Sequence, residues 1–365
     1  MTWRNRVEVS YGALRGNVAA LRTVAGGREL IAVVKADAYG FGLERCARIY
    51  HESGVAALAV AALVEADRVR RVAPEARIIL LGSPLPEERP AVAASSYEVS
   101  VSSLEEVLEF ANLAHPLAPL AVHAMVDTGM GRFGATPGDA EAIIRQILAL
   151  PSLRLRGIAT HYPQADDAAF AAEQEEIFNA LLARLPPLPA DCCIHYANSE
   201  ALMLRPAGRS HAVRVGLLLT GVVPSTCPDP GVVQAVRWVS SLSLTKRLPA
   251  GHGISYNRSR ILSRDSLIGI VPVGYADGFP IALSNRASVL VQGQRCPVLG
   301  RVTMDYCVVD LTELPAPPSP GEAVVLFGSQ GDSHISIAEM ATLAGTIPYD
   351  ILCGLRGRCE VVGVP

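Results

Sequence analysis

The sequence predicts an α/β fold, an eight-stranded TIM-type α/β barrel followed by a mostly β domain. Three observations predict it. Through residues 1–225, short apolar runs alternate with longer amphipathic ones, as in parallel strands joined by helices. The apolar runs number eight, the count of a closed barrel, with an open doubly wound sheet as the competing topology. Near Pro224–Pro230 the pattern changes at STCPDPG, and β-like runs separated by turn residues follow. The expected units are therefore residues 1–230 and 231–365.

The predicted barrel strands are Leu30–Lys35, Ala56–Val60, Arg77–Leu81, Tyr97–Val101, Leu120–Asp127, Leu155–His161, Asp191–Tyr196 and Ala212–Leu217. Each is a short aliphatic run bounded by polar or turn residues. Helical periodicity fills Gly12–Val24, Asp139–Leu150 and Asp166–Leu185. A capping box, Ser102-Ser103-Leu104-Glu105, opens a further helix that runs to about Leu113. In the second half the β-like runs are Val236–Leu248, Ser266–Val273, Ala287–Val291, Arg295–Leu299, Cys307–Leu311 and Ala323–Phe327. Gly293 predicts a hairpin, and Ile337–Ala344 a closing helix.

With 365 residues, half of them hydrophobic and 18% charged, the chain can bury a large core. The net charge of −3 and the lack of a basic run give no support to nucleic-acid binding. The longest apolar run, Val55–Val64, is too short to span a membrane, and the N-terminal segment lacks a signal-peptide pattern. A soluble, cytoplasmic protein is expected. Eight cysteines without a CxxC pair read as free thiols, and no HExxH, Walker A loop or metal cluster is present.

The chemistry begins at Lys35, in IAVVKADAYGFG. Ile31, Val33 and Val34 form the buried run, and Gly40 and Gly42 end it. A lysine held there loses water, which disfavours its charged form and exposes a nucleophilic amine. Such an amine condenses with an aldehyde cofactor. In a barrel, reactive groups gather at the C-terminal strand ends. Those ends carry Lys35, Asp127, His161, Asn198-Ser199 and Arg214-Val215-Gly216. Ser199 and the Gly216 backbone follow the seventh and eighth strands, a common phosphate position. GMGRFG matches the dinucleotide pattern at Gly129, Gly131 and Gly134, but the required downstream acid is missing. The segment reads better as a loop that aims Arg132 into the pocket. In the second half, Tyr256 and Tyr275 lie in glycine-bounded loops, followed by RVTMDY (301–306) and GTIPYDILC (345–353).

These motifs appear in one order: VVKADAYGFG, VDTGMGRFG, the histidine after GIAT, HYANSE, VRVGLL, GISYN, PVGYADGFP, GRVTMD and TIPYDILC. The order resembles that of the alanine racemase family, from about residue 5 to 355. The lysine motif is shared with other barrel-type pyridoxal-phosphate proteins, whereas the later motifs are specific to the racemases. The resemblance implies that Lys35 carries pyridoxal 5′-phosphate as a Schiff base and acts as one of two bases. Tyr256, from the partner subunit of a head-to-tail homodimer, would be the other. Tyr39, Ser199, Gly216 and Tyr349 would hold the cofactor phosphate, Leu217 and His161 would also bind the cofactor, and Arg214 would face the pyridine nitrogen. Arg132 and the Met304 backbone would hold the substrate carboxylate. His161 would sit between Arg214 and Tyr256, and Tyr275 and Asp305 would line the entrance.

The implied set makes physical sense. Inverting one carbon needs a base on one face and an acid on the other, each tuned toward the working pH. A guanidinium accepts no hydrogen bond, so Arg214 would keep the pyridine nitrogen unprotonated. A cationic chain through His161 and Arg214 would acidify Tyr256. The sequence departs from the family at Met125, where a carbamylated lysine usually orients the arginine. Val215, Thr220 and Thr303 stand where proline, tyrosine and cysteine are usual, and RGRCEVVGVP lacks the usual terminal pattern. The implied activity is L- and D-alanine interconversion. The alternatives are a broad-specificity or serine racemase, a barrel-type amino-acid decarboxylase and a non-catalytic cofactor carrier. A decarboxylase should place a glutamate at the pyridine nitrogen, so Arg214 and Tyr256 argue against it.

Overall fold

A computed structural model describes residues 4–205, 208–355 and 357–365. Eight strands close a parallel barrel: β2 (Glu29–Val33), β3 (Ala57–Val60), β4 (Ile78–Leu80), β5 (Glu98–Val101), β6 (Leu120–Met125), β7 (Leu153–Ala159), β8 (Cys193–His195) and β9 (Ala212–Val215). The closing pair is β2 with β9, and it sets Ile31 opposite Arg214. All eight predicted strands are present, and the closure excludes the open sheet. Their aliphatic residues are nearly all buried, because helices cover the outside while side chains fill the lumen.

The predicted helices form at Tyr11–Ala25, Leu104–Leu113, Pro137–Ala149 and Ala168–Arg184. The capping box sits one residue later than predicted. Ser103 caps through Glu106 N–H at 3.2 Å, and Glu106 Oε2 accepts the Ser102 N–H at 2.6 Å.

The second sheet is where reading and structure part. Its strands are β1 (Asn5–Ser10), β10 (Val236–Ser241), β11 (Leu244–Leu248), β14 (Ser266–Val271), β15 (Ser288–Val291), β16 (Gln294–Leu299), β17 (Cys307–Asp310), β18 (Ala323–Gln330), β19 (Ser333–Ile335) and β20 (Cys359–Val364). A small hairpin, β12 (Gly253–Ile254) with β13 (Arg260–Ile261), stands apart from it. The strand order is β11-β14-β17-β16-β15-β18-β10-β1-β20, with β19 on β18. The first strand of the chain thus belongs to the C-terminal sheet, antiparallel to β10 and parallel to β20. The run predicted as Val236–Leu248 is two strands broken at 242–243. The Gly293 hairpin is present, with Gln292 and Gly293 both at positive φ (52° and 73°) as a primed turn requires. Trp238, fully buried, packs against Phe279 and Phe327 in the core of this sheet.

Candidate active site

Lys35 follows β2 at the C-terminal mouth of the barrel and is half-buried. The backbone beyond it is unusual. Ala36, Asp37, Ala38 and Tyr39 all have φ between 53° and 58°, a left-handed turn built without glycine. Each such residue costs about 1–2 kcal/mol relative to right-handed backbone. Side chains from neighbouring elements oppose that cost. Glu65 accepts the Ala36 N–H at 2.7 Å, and Asp37 accepts from the Leu43 N–H at 3.1 Å and from Arg68 at 2.8 Å. Arg68 is itself gripped by both Glu44 oxygens. The turn drives Tyr39 inward until its hydroxyl lies where a Gly216 Cβ would be, 2.2 Å from that ideal position. Only glycine fits at 216.

Burial, then the nearby Arg132 charge, lowers the Lys35 pKa, while Glu65 and Cys353 oppose the shift. This is the direction that makes a neutral amine accessible.

On the strand paired with β2, Arg214 of β9 is almost fully buried. Its NH1 reaches His195 Nδ1 and the His195 carbonyl, each at 2.7 Å. Its NH2 reaches the Thr160 carbonyl at 2.8 Å, His161 Nδ1 at 3.0 Å and the Tyr196 carbonyl at 3.3 Å. These bonds occupy the terminal nitrogens, and among the described residues none uses Nε–H. Arginine only donates, so both histidine Nδ1 atoms accept and both rings carry their proton on Nε2. Burial, then Arg214, pushes the His161 pKa down to about 3. The expected cationic chain is therefore cationic only at Arg214. His161 is a neutral ring that can pass a hydrogen bond outward from Nε2 but carries no charge.

Ser199, buried at the start of the Ser199–Leu204 helix, accepts the Gly216 N–H at 3.2 Å. Leu217 is buried next to it. Tyr349, from the Pro348–Cys353 helix of the C-terminal half, tilts against Tyr39 with ring centroids 5.4 Å apart. The Ser199 hydroxyl and the Tyr39 phenol thus meet at Gly216, with the Tyr349 ring against Tyr39, a group of donors suited to phosphate. The free Nε–H of Arg214 suits an unprotonated ring nitrogen. The residues fit the cofactor that the sequence implied.

Arg132 sits in an exposed loop shaped by Asp127, whose carboxylate accepts from Gly129, Met130 and Gly131 N–H. Among the described residues its side chain makes no hydrogen bond and only lies 5.9 Å over the Phe133 ring. Its positive charge nevertheless lowers the pKa of Lys35, His161 and Arg214.

The remaining predicted residues form a separate group on the β domain. Tyr256 is 69% exposed at the tip of the β12–β13 hairpin and makes no side-chain hydrogen bond among the described residues. Ser255 anchors this tip through the Arg301 carbonyl at 2.6 Å. Beneath it, Ile254, Leu262, Ile268 and Leu299 make a small core of their own. Tyr275 donates its N–H to the Thr303 carbonyl, and the Met304 carbonyl accepts from Ala276 N–H. Asp305 pairs with Arg358 at 2.6 Å. Among the described residues, no hydrogen bond, ion pair or ring contact joins Tyr256, Met304 or Asp305 to Lys35, His161 or Arg214.

Sequence reasoning missed Glu65, which anchors the turn, although its spacing from Ala62 is that of a residue reaching back to a helix start. It also missed His195 and His123. The signal for His123 was a lone polar residue inside LAVHAM.

The chain was compared with known proteins. The alanine racemase N-terminal domain family matches residues 9–224, and the alanine racemase C-terminal domain family matches residues 235–362. The chain belongs to the alanine racemase family. A relative called alanine racemase, from Symbiobacterium thermophilum, is 38% identical over 98% of this chain and 95% of its own length. The solved alanine racemase of Streptomyces coelicolor is 35% identical with a TM-score of 0.91, covering 99% of this chain and 98% of that one. That of Bartonella henselae, solved with covalently bound pyridoxal phosphate, is 27% identical with a TM-score of 0.91 over the full length of both chains.

Proposed function

We propose that this protein is a pyridoxal-phosphate-dependent racemase that interconverts L- and D-alanine by two-base proton transfer. The observation that carries the reading is a buried arginine, not a carboxylate, on the strand next to the one that Lys35 ends, with one N–H left over. That arrangement favours a racemase over the decarboxylase alternative. Pyridoxal 5′-phosphate, when bound, supplies an aldehyde for the substrate amine and a conjugated ring that acidifies its Cα–H. Tyr39, Ser199, Gly216, Leu217 and Tyr349 hold its phosphate. Arg214 would face its ring nitrogen and, being unable to accept a proton, would keep that nitrogen neutral.

Lys35, released as a neutral amine, takes or returns the Cα proton on one face. Burial and Arg132 lower its pKa toward that task. Tyr256 of a partner subunit serves the other face, with His161 Nε2–H available as its hydrogen-bond donor. Two features support a shared site: no contact joins Tyr256 or Met304 to Lys35, His161 or Arg214 among the described residues, and Tyr256, Tyr275 and Met304 are exposed. Arg132 and the Met304 backbone bind the carboxylate, and Tyr275 and Asp305 border the entrance. Among the described residues, no helix is long and apolar enough to cross a membrane.

A mixing experiment tests both the reaction and the shared site. Lys35→Ala and Tyr256→Phe chains should each be inactive alone. Co-folded together, they should regain about a quarter of wild-type alanine racemisation, since random pairing gives half heterodimers with one intact site in two. No recovery despite heterodimer formation would reject the shared site, and no racemisation by the wild-type holoenzyme would reject the reaction.

Met125 favours a second reading of substrate range. Nothing at that position can hold Arg132 as a carbamylated lysine would, and the arginine is exposed with only the Phe133 ring beside it. A less constrained arginine admits larger side chains. Racemisation assays across alanine, serine, lysine and arginine separate an alanine racemase from a broad-specificity one.

A further inference from the structure

A line of buried polar groups runs through the barrel lumen, from the mouth to the opposite end. Arg214 donates to His195 Nδ1 at 2.7 Å, and His195 Nε2 lies 2.8 Å from His123 Nδ1. His123 Nε2 lies 2.7 Å from Glu98 Oε2. His123 and His195 are at most 1% exposed, and Arg214 and Glu98 are buried. Glu98 opens β5 at the N-terminal end of the barrel, remote from the Lys35 mouth, and is clasped there by Arg77 at 2.8 and 3.1 Å, with Arg156 at 3.9 Å.

The proton positions follow by elimination. Arg214 has no acceptor, so His195 Nδ1 must accept and its proton sits on Nε2. That proton points at His123 Nδ1, which must accept in turn. His123 then carries its proton on Nε2 and donates it to Glu98. A protonated His123 would leave His195 with no proton at all, so both rings are neutral. Every donor in the line points from the arginine toward the carboxylate. Glu98 is thereby the anion that ends the hydrogen-bonded line from Arg214, which itself bonds carbonyls and the His195 and His161 rings among the described residues.

The barrel is shaped for this line. A Cβ at Gly157 on β7 would stand 2.2 Å from His123 Nδ1, so only glycine leaves room for the contact between the rings. The β6–β7 register shifts between Val122 and His123, at the same place.

We propose that Glu98 is a positioning residue for the reaction. It fixes the direction of the His123–His195 relay and so holds Arg214 against the cofactor ring. The proposal rests on the function proposed above. Without an acceptor at 98, His123 is free to carry its proton on Nδ1. That proton would force His195 to carry its own on Nδ1, facing the guanidinium donor, and Arg214 would lose its seat.

The test uses the full-length holoenzyme with 15N-labelled histidine. In the unaltered protein, His123 and His195 should both show the Nε2–H tautomer across the neutral pH range. Glu98→Met should give mixed tautomers at both rings, shift the near-visible absorbance of the bound cofactor, and lower kcat about tenfold with KM little changed. Glu98→Gln, whose amide oxygen still accepts from His123, should restore the tautomers and most of kcat. An Nδ1–H ring at either histidine in the unaltered protein overturns the proposal, even if Glu98→Met fails to fold. So does a Glu98→Met enzyme with unchanged tautomers and kcat, or equal losses in both variants with unchanged rings, the mark of a packing role. Expected tautomers in a holoenzyme that racemises nothing would count against the assigned reaction and not against the relay.

Discussion

The barrel mouth and the β-domain face carry the two halves of the proposed site, and they are built in opposite ways. At the mouth, Arg214 is buried and bonded to several acceptors, and the Lys35 turn is braced by Glu65, Asp37 and Arg68. On the β-domain face, Tyr256 stands out in solvent at the tip of a hairpin with its own small core. The contrast fits the proposal that one chain supplies only half of the site, the other half coming from a partner subunit. The mouth is organised before any partner arrives. The face presents exposed groups that make no contact with the Lys35 mouth of their own chain among the described residues.

The largest break should come at the mouth. Lys35→Ala should lower racemisation by on the order of 10^4-fold and abolish the covalent cofactor absorbance, while leaving the fold intact by circular dichroism. Tyr256→Phe should cost about 10^3-fold but keep that absorbance. It should also slow solvent-deuterium entry into one enantiomer of alanine more than into the other. Equal slowing of both would remove the assignment of one base to each face.

Glu65→Ala sharpens the comparison, because it touches no reacting group. It removes the acceptor for Ala36 N–H in a strained turn, and kcat should fall about tenfold with a lower melting temperature. A wild-type kcat would show that the turn holds itself.

Acid should unfold the barrel before the β face. Burial and Arg214 hold the folded-state His161 near 3 against an ordinary 6.5, and burial lowers His195 in the same direction. The unfolded chain therefore binds those protons first, so this stability is present above about pH 6.5 and is lost as pH falls toward about 3. Burial alone would raise Glu98, but hydrogen bonds from His123 and Arg77 hold it at about 2 against an ordinary 4.5. It adds a second loss between about pH 4.5 and 2. Tyrosine and tryptophan fluorescence during acid titration checks the order: Trp238 reports the β sheet, which these groups do not touch.

The smallest effect should follow Asp305→Ala. Its ion pair with Arg358 is partly exposed, so stability should change by no more than about 1 kcal/mol. KM should shift a few-fold at constant kcat, as expected of an entrance residue, and a change in kcat would move Asp305 into the reacting site.

The barrel was legible because each strand is a short aliphatic run and each helix a periodic one, so the alternation survives in the letters alone. Lys35, the proposed catalytic lysine, was legible as a lysine ending such a run. The left-handed turn after it was not, because Ala36, Asp37, Ala38 and Tyr39 carry no glycine signal. Its conformation is imposed by Glu65 and Arg68 from another helix. The strand Asn5–Ser10 was also invisible, since its partners lie more than two hundred residues away. Local pattern fixes which segments become strands and helices, because backbone preference and side-chain periodicity act over a few residues. Only the closed barrel could decide that Glu98, His123, His195 and Arg214, dispersed along the chain, meet in one file. Buried donors and acceptors must find partners wherever the fold brings them.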